Sequence, residues 1–314
     1  MLNSTEMTVW PTSNKIIEVL GHISRLKQKF TPSVREVAAV IGYLVSLFPG
    51  VRHGPLFYRF LEREKTSALQ RNFGNFDSPM LLSSQALEEL SWWEEHLKGN
   101  YREILIPDPL LIIQTDASLF GWGAVTLRPH AQASGVWNPQ EQSLHINVLE
   151  LKAILQALKK LCLGSKDIHI RIQSDNTTAV AYVNNMGGSH SMQSNLLAKA
   201  IWLWAIERNI WISAAFLPGK DNVIADKLSR PQKHHTEWML QPKFLGDIVA
   251  RFGYPSIDLF ASKFNKQIDT YASWKPDSKA CFVDAFSVNW KDFYFDAFPP
   301  ISLIGKMIQK NKNR

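Results

Sequence analysis

The chain has 314 residues, 45% of them hydrophobic, which is enough to bury two or three domain cores and excludes a mainly disordered protein. Lysine and arginine outnumber aspartate and glutamate by 35 to 28, so the net charge of +7 favours a polyanionic partner such as nucleic acid, although a plain soluble surface explains it equally well. The two cysteines, Cys162 and Cys281, have no metal-site spacing and exclude both a disulfide framework and a zinc site.

No charged-then-apolar leader opens the chain, and its apolar stretches are broken by polar residues before they reach the length of a membrane span. The low cysteine content agrees with a reducing compartment. We therefore expect an intracellular protein, cytoplasmic or nuclear, with no membrane partner.

The first hundred residues predict a small helical unit. Residues 13–30 place aliphatic side chains on one helical face and Lys and Arg on the other, which predicts a basic amphipathic helix. Ser33 and Glu36 have the spacing of a capping box at the start of a second helix, and a third covers about 84–97. Basic side chains of this region either follow nucleic-acid phosphates or form a solvated face: Arg25, Lys27, Lys29, Arg59, Arg63 and Lys65.

After the Pro-containing hinge at 106–109 the pattern changes to that of a mixed α/β domain. The predicted strands are 110–115, 120–127, 133–138, 168–173 and 210–216. The predicted helices are 147–162, 176–186, 191–208 and 221–229. Strands followed by alternating helices and strands predict an α/β fold class, α+β mixed, with a five-stranded mixed sheet flanked by helices.

The last segment, 233–314, has no sustained period and predicts an irregular C-terminal extension. Its aromatic side chains either pack in a core or stack on bases: Trp274, Trp290, Phe293, Phe295 and Phe298. We therefore expect three parts, namely a helical region at 1–106, the mixed domain at 107–232 and the extension at 233–314.

Four acidic residues recur at strand ends and on helices of the mixed domain. Each has a simple local explanation. Asp116 suits a turn after a strand, and Glu150 has the spacing of a capping box with Asn147. Asp175 suits the N-cap of a helix, and Asp226 lies in an early helical turn, where the helix dipole stabilises an acidic side chain. Along the chain the four acids lie at a strand end, on a helix, at a second strand end and on a second helix. This order predicts instead that the four carboxylates converge on one place at the sheet. Clustered carboxylates need cations, and divalent ions such as Mg²⁺ held by oxygen ligands support phosphodiester cleavage.

Two glycines follow the first acid closely, in the stretch LLIIQTDASLFGWGA at 110–124. The aliphatic run predicts a buried strand that holds Asp116 rigidly. Gly121 and Gly123 then allow the backbone to approach a neighbouring strand or a bound phosphate, or else they mark a bulge or a tight hairpin.

Four motifs follow one another along the chain: TDAS with GWGA, HINVLELKAI, SDNTTAVAYVNNMGG and LPGKDNVIADKLSR. In this order they resemble the ribonuclease H domain of retroelement reverse transcriptases, most closely that of DIRS-type retrotransposons. The resemblance covers about 110–230 and implies an RNase H-like fold. It implies that Asp116, Glu150, Asp175 and Asp226 are the catalytic, metal-binding acids, whereas Asp221 lies five residues too early to be the fourth.

The resemblance implies an activity and its cofactors. The chain is expected to cleave the RNA strand of RNA–DNA hybrids as an endonuclease, with two Mg²⁺ ions or with Mn²⁺, and to have other regions of the retroelement polyprotein as candidate partners. Asp116 would bridge the two ions, Glu150 and Asp175 would complete one ligand shell, and Asp226 the other. Substrate contacts are expected at five positions: Ser118, Gly121, Gly123, Asn176 and Thr177. Asn176 is equally explained as a helix-capping residue.

The segments on either side of the RNase H-like region also resemble parts of the same retroelement polyproteins. The stretch STEMTVWPTSNKI and the helices after it resemble the thumb and connection that follow a polymerase palm, and IDLFASKFNKQIDTYASWKPD resembles the stretch after RNase H. The paired aspartates of the palm do not occur in this sequence, so we expect no DNA polymerase activity from it. Many relatives also place a His ten residues before the last acid, where this chain has Phe216, and that difference bears on the rate rather than on metal binding.

Two other interpretations remain open. A catalytically inactive retroelement remnant would bind RNA or the hybrid without cutting it. Another nuclease of similar fold fits less well, because proofreading-type exonucleases have Asp-x-Glu where this chain has Asp116-Ala117-Ser118, and transposase-like enzymes place Glu last of three acids.

Overall fold

A computed structural model describes residues 1–230, 239–274 and 276–312. The contacts of the chain divide it into two compact units, 1–231 and 232–314. The expected boundary after residue 232 lies outside the described residues, and the boundary expected at 106 falls within the first unit and stays a prediction.

Four helices and a small antiparallel sheet make up the first hundred residues. The helices are α1 (Ser13–Lys27), α2 (Val34–Ser46), α3 (Arg59–Arg71) and α4 (Ser84–His96), with a 3₁₀ turn at Gly54–Leu56. The strands, paired in this order, are β1 (Leu2–Asn3), β2 (Thr8–Val9) and β3 (Arg102–Glu103). The predicted capping box is confirmed, since Ser33 and Glu36 satisfy each other's backbone amides at the start of α2.

The start of α3 is capped from another helix rather than by its own sequence. The carboxylate of Glu89, on α4, accepts hydrogen bonds from the Phe60 and Leu61 amides, each at 3.1 Å. Tyr58, at the N-cap position, makes no side-chain capping bond. The helix therefore begins where tertiary packing supplies an acceptor for its free amides.

The mixed domain contains the predicted five-stranded sheet. Its strands are β4 (Leu111–Ala117), β5 (Gly121–Thr126), β6 (Ala131–Val136), β7 (His169–Ser174) and β8 (Trp211–Phe216). The order is β6-β5-β4-β7-β8, with β4, β5 and β6 antiparallel and β7 and β8 parallel to β4. The α/β fold class with a five-stranded mixed sheet is confirmed.

Five helices accompany the sheet: α5 (Pro139–Gln142), α6 (Ile146–Leu161), α7 (Thr177–Asn184), α8 (Met192–Ile206) and α9 (Val223–Ser229). Helix α6 buries a wide apolar face against β4, β5 and α8, and α9 packs on β4 and β5. Strand β5 is consequently buried along its whole length. One continuous hydrophobic cluster joins this core to that of the N-terminal helices, with Trp93 and Trp202 fully buried in it.

The C-terminal unit is not irregular, so that expectation is wrong. It contains a four-stranded parallel sheet in the order β11-β10-β9-β12, formed by β9 (Ile257–Ala261), β10 (Tyr271–Ser273), β11 (Phe282–Val283) and β12 (Phe295–Asp296). Its α-helices are α10 (Pro242–Phe252) and α11 (Ile304–Lys312), and short 3₁₀ turns lie at Ala285–Ser287, Trp290–Asp292 and Ile301–Leu303. Strands of two to five residues are too short to establish a period in the sequence.

The aromatic residues of this unit divide between its core and its surface. Trp290 is buried with Phe293 and Phe295 packed around it, as the packing interpretation predicts. Trp274 and Phe298 are exposed. In the described ranges of the chain, no helix combines the length and the apolar character that a bilayer crossing requires.

Candidate functional site

Three of the four predicted acids meet at one end of the five-stranded sheet. Asp116 lies near the end of β4, Asp175 directly follows β7, and Glu150 lies on α6. Because β4 and β7 are parallel neighbours, their carboxyl ends lie side by side. One carboxylate oxygen from each of the three residues lies within 4.8 Å of the others.

Burial makes this acidic cluster electrostatically unfavourable by itself. Asp116 is 6% exposed and Glu150 is 3% exposed. Burial, together with the charges of Asp116 and Asp175, raises the pKa of Glu150 to about 9. Burial likewise raises the pKa of Asp116 to about 6, with added repulsion from Asp175 and Asp226. A cation among these groups would remove the repulsion and favour their charged forms.

The donor set fits a hard divalent cation. The buried Oε2 of Glu150 has no hydrogen-bond partner among the described residues, so it is available as a ligand. Three carboxylates that converge within a few ångströms are the oxygen ligands that Mg²⁺ and Mn²⁺ take. Asp116, Glu150 and Asp175 could therefore hold such an ion.

The simple local explanations of two of these acids are wrong. Helix α6 begins after the N-cap His145, so Asn147 lies inside the helix and forms no capping box with Glu150. The N-cap of α7 is Asn176, whose side chain accepts a hydrogen bond from the Ala179 amide, and Asp175 precedes it. Neither Glu150 nor Asp175 is needed to cap its helix.

The fourth predicted acid, Asp226, lies beside the cluster on the first turn of α9. It does not belong to the group of three within 4.8 Å, but its charge raises the pKa of Asp116. Its side chain is 39% exposed and accepts hydrogen bonds from Arg230, four residues later, at 2.5 and 2.9 Å. Asp226 is thus at the open side of the site and paired with a cation of the protein.

Both ends of α9 are fixed to the strand and turn that carry Asp116. The Asn222 side chain donates to the carbonyl oxygen of Thr115 at 2.9 Å, and the hydroxyl of Ser118 donates to the carbonyl oxygen of Ser229 at 2.7 Å. The short helix between these two bonds carries Asp226. Its backbone is therefore held at a fixed place relative to Asp116.

The two glycines of β5 make the approach of α9 possible. A Cβ at Gly121 would lie 2.4 Å from the carbonyl oxygen of Gly135, and one at Gly123 would lie 2.3 Å from that of Ala225. Both glycines are buried. Gly121 also closes a tight hairpin with Ser118, whose amide donates to its carbonyl oxygen. The close approach that the sequence predicts is thus made by protein backbone, from a neighbouring strand and from α9.

The remaining predicted substrate contacts differ in how many hydrogen bonds their side chains already make within the protein. Ser118 donates to Ser229 and accepts from the Phe120 and Gly121 amides, which fixes the hairpin. Asn176 caps α7, and Thr177, the first residue of that helix, is exposed. Substrate contact by these residues stays a prediction.

Three further residues at the site were not predicted from the sequence. Asn147 accepts a hydrogen bond from the side chain of Asn176, the residue after Asp175, at 2.9 Å. A Cβ at Gly219 would lie 2.9 Å from Oδ2 of Asp175. Arg230 pairs with Asp226, and its spacing of four residues on a helix was the one signal available in the sequence.

Phe216 lies at the end of β8, in register with Ser174 of β7 and thus next to Asp175. Its side chain is 54% exposed. The chain therefore has an exposed apolar ring, with no titratable group, on the strand next to the one that precedes Asp175.

No family model matches the chain, but parts of viral polyproteins are similar to it. The enzymatic polyprotein of cauliflower mosaic virus (strain D/H) is 31% identical over 137 residues, which cover 40% of this chain and 20% of that polyprotein. The genome polyprotein of Petunia vein clearing virus (isolate Shepherd) is 25% identical over 238 residues, covering 72% of this chain and 10% of that polyprotein. The chain thus spans a fifth or less of the viral polyproteins that it matches.

Solved structures similar to the chain include ribonucleases H. The RNase H1 of the archaeon Halobacterium salinarum NRC-1 has 16% identity and a TM-score of 0.33, over 38% of this chain and 92% of that one. LC11-RNase H1, solved in complex with an RNA/DNA hybrid, has 21% identity, the same TM-score and the same coverage. The foamy viral protease-reverse transcriptase, solved with an RNA/DNA hybrid, has 13% identity and a TM-score of 0.24 over 74% of this chain and 29% of that one.

Proposed function

We propose that this chain is a retroelement-derived ribonuclease H, a hydrolase that cuts the RNA strand of RNA–DNA hybrids internally with the help of two divalent cations. The proposal includes an origin in the polyprotein of a DIRS-type retrotransposon and a place in the cytoplasm or nucleus. It includes no DNA polymerase activity, since the sequence has no Asp-Asp pair.

One observation carries the proposal. Asp116, Glu150 and Asp175 come from two strands and a helix that are far apart in the sequence, yet their carboxylates converge within 4.8 Å. Two of the three are buried, so their charged forms are costly unless a cation is bound among them. Structural acids are normally paired with protein cations, whereas the described ion pairs include none of these three residues.

The four acids have different tasks in the proposed reaction. Two Mg²⁺ ions, when bound, supply an activated water and neutralise charge on the leaving oxygen. Asp116, which lies within 4.8 Å of Glu150 and Asp175 and whose pKa is also raised by Asp226, would contribute a ligand to both ions. Glu150 and Asp175 would hold the first ion and Asp226 the second. Rigid support of Asp116 by the paired strand β5 keeps the ligand positions fixed.

Recognition of the substrate is proposed to depend on 2′-hydroxyl groups, which only an RNA strand offers in the wide minor groove of a hybrid. Asn176 follows Asp175 in the chain, Asn147 lies on the same helix as Glu150, and the two side-chain amides are linked by a hydrogen bond of 2.9 Å. An amide both donates and accepts, which matches the two roles of a hydroxyl. Ser118 and Thr177 complete the proposed contact region at the same end of the sheet, whereas Gly121 and Gly123 are covered by backbone of β6 and α9 and are not part of it.

The test uses the purified chain with a labelled RNA–DNA hybrid in Mg²⁺ and, separately, in Mn²⁺, beside matched RNA and DNA duplexes. We expect cleavage of the hybrid alone, and loss of cleavage in Asp116→Asn and Asp175→Asn. Asp221→Asn is the matched control, because it removes an exposed acid near the site and should leave cleavage unchanged. Cleavage that survives both substitutions, or that appears equally on the DNA duplex, would refute the proposal.

A second candidate is an inactive remnant that binds RNA or the hybrid without cutting it. The observation that favours it is Phe216, an exposed phenyl side chain on the strand next to β7, where the resembling family often has a histidine. Hybrid binding without cleavage in either metal would support this candidate. Cleavage that Phe216→His accelerates would instead support an active but slow enzyme.

A further inference from the structure

We propose that Arg230 is the resident counterion of Asp226 and that a second divalent cation at this carboxylate must displace it. Arg230 would thereby set the cation affinity of the Asp226 half of the site. The inference rests on the proposed function, because it concerns the second of the two proposed ions.

Arg230 occupies one of the two carboxylate oxygens of Asp226. The Nε and Nη2 atoms of Arg230 both donate to one oxygen of Asp226, Oδ1, at 2.9 and 2.5 Å. A cation bound at that oxygen and the guanidinium group cannot occupy the same place. The Arg230 side chain is 68% exposed, so it can turn into solvent without breaking a buried contact.

The start of the Arg230 side chain is fixed close to the acids. The preceding residue, Ser229, is buried, its carbonyl oxygen accepts from Ser118, and its hydroxyl donates to the carbonyl oxygen of Asp226. These bonds hold the end of α9 against the turn after β4. The guanidinium therefore stays within reach of Asp226 even after its hydrogen bonds break.

The charge of Arg230 also acts on the buried part of the cluster. It lowers the pKa of Asp116, and the carboxylates of Asp226 and Asp116 in turn raise the pKa of Arg230. Among the ion pairs of the described residues, the one that includes any of the four acids is Arg230 with Asp226. A divalent cation at Asp226 would bring more positive charge to the same place and repel the guanidinium.

Two other roles for the pair make different predictions. A plain surface pair on a helix would contribute little and would leave cation binding unchanged when it is removed. A pair that orients Asp226 for the cation would weaken cation binding when it is removed. A displaced counterion is the case in which removal of Arg230 tightens the binding of the second cation.

The test is a titration of the full chain with Mn²⁺ alone, with free Mn²⁺ counted by electron paramagnetic resonance at low ionic strength. We expect a tighter and a weaker class of site, the weaker one lost in Asp226→Asn. Arg230→Gln should tighten the weaker class about two- to fivefold and leave the tighter class unchanged, as expected for a partly exposed charge pair. The effect should shrink in high salt.

Two control variants separate this effect from general charge and folding effects. Lys227→Gln removes an equal charge from the same helix, and Lys227 has no ion pair among the described residues, so its effect should be smaller. Arg230→Lys keeps the charge and should remain near wild type. Circular dichroism melting curves of each variant identify any loss of folding.

An unchanged or weaker second class in Arg230→Gln would overturn the inference. A single class of site that Asp226→Asn does not alter would also overturn it, while leaving the three-acid site and the proposed activity intact. Hybrid cleavage is measured separately on the same proteins. Tighter Mn²⁺ binding in Arg230→Gln, with no cleavage by any protein, would support the inference and refute the proposed activity.

Discussion

The backbone of Ala225 lies directly against Gly123, and a Cβ at residue 123 would be 2.3 Å from the carbonyl oxygen of Ala225. Gly123 is the register partner of Asp116 on the adjacent strand, and Ala225 precedes Asp226. The contact therefore sets the distance between the sheet, which carries Asp116 on β4, and helix α9, which carries Asp226.

We expect Gly123→Ala to move α9 away from the sheet. The overpacking should lower the free energy of unfolding by about 1–3 kcal/mol and should abolish the weaker class of Mn²⁺ binding. Gly42→Ala is the control, since Gly42 lies in helix α2 with no atom within 4 Å of the added Cβ, and it should be neutral or stabilising. Urea unfolding and Mn²⁺ titration measure the two effects, and a Gly123→Ala protein with wild-type metal binding would contradict this role.

Gly219 should matter to metal binding more than to stability. A Cβ there would lie 2.9 Å from Oδ2 of Asp175, and a carboxylate at the end of a side chain can move away at low cost. Gly219→Ala should therefore change the free energy of unfolding by less than about 0.5 kcal/mol, as for an ordinary surface substitution. The tighter class of Mn²⁺ binding should weaken because Asp175 is displaced. Unaltered Mn²⁺ affinity would show that Asp175 tolerates the shift.

Metal binding should release protons. Burial and neighbouring charges raise the pKa of Glu150 to about 9, so at pH 7 this residue is protonated before a cation binds and must ionise to become a ligand. Calorimetry in buffers of different ionisation enthalpy should report about one proton released per first Mg²⁺ at pH 7. Below about pH 6 the affinity should fall further as Asp116 also becomes protonated. Glu150→Gln should release close to no protons, and equal release by both proteins would contradict the assignment.

The stability of the N-terminal helices should depend on pH through Glu89. Burial raises its pKa from 4.5 to about 7, against the opposing effect of the Leu61 and Phe60 amides. Between these two values the folded state binds more protons than the unfolded state, so the free energy of unfolding falls as pH rises from about 4.5 to about 7. The loss is on the order of 3 kcal/mol.

Glu89→Gln tests this dependence, because glutamine is neutral at every pH and its carbonyl oxygen still accepts from a helix amide. The difference in unfolding free energy between the two proteins, measured in urea with a chelator present, should change across pH 5 to 8 in favour of the variant. Parallel pH profiles would show that Glu89 does not titrate in this range. Glu89→Ala should destabilise at all pH values, by about 1–3 kcal/mol, since it leaves two helix amides unpaired.

The sequence by itself determined the regular elements of the mixed domain and the identity of its acids. Strands such as 168–173, observed as His169–Ser174, and the helix expected at 147–162, observed as Ile146–Leu161, have patterns that repeat over enough residues to be recognised locally. The capping box of Ser33 and Glu36 is also a local signal, because both partners lie within one turn.

Only the tertiary structure decided which acids are close enough to share a cation and which groups oppose them. The separation of Asp116, Glu150 and Asp175 depends on the parallel register of β4 and β7 and on the packing of α6, none of which a local pattern records. The cap that Glu89 gives to a distant helix and the short parallel strands of the C-terminal unit are of the same kind. Each joins groups by packing or by hydrogen bonds between chain segments, and the energy of such contacts depends on three-dimensional distance rather than on sequence spacing.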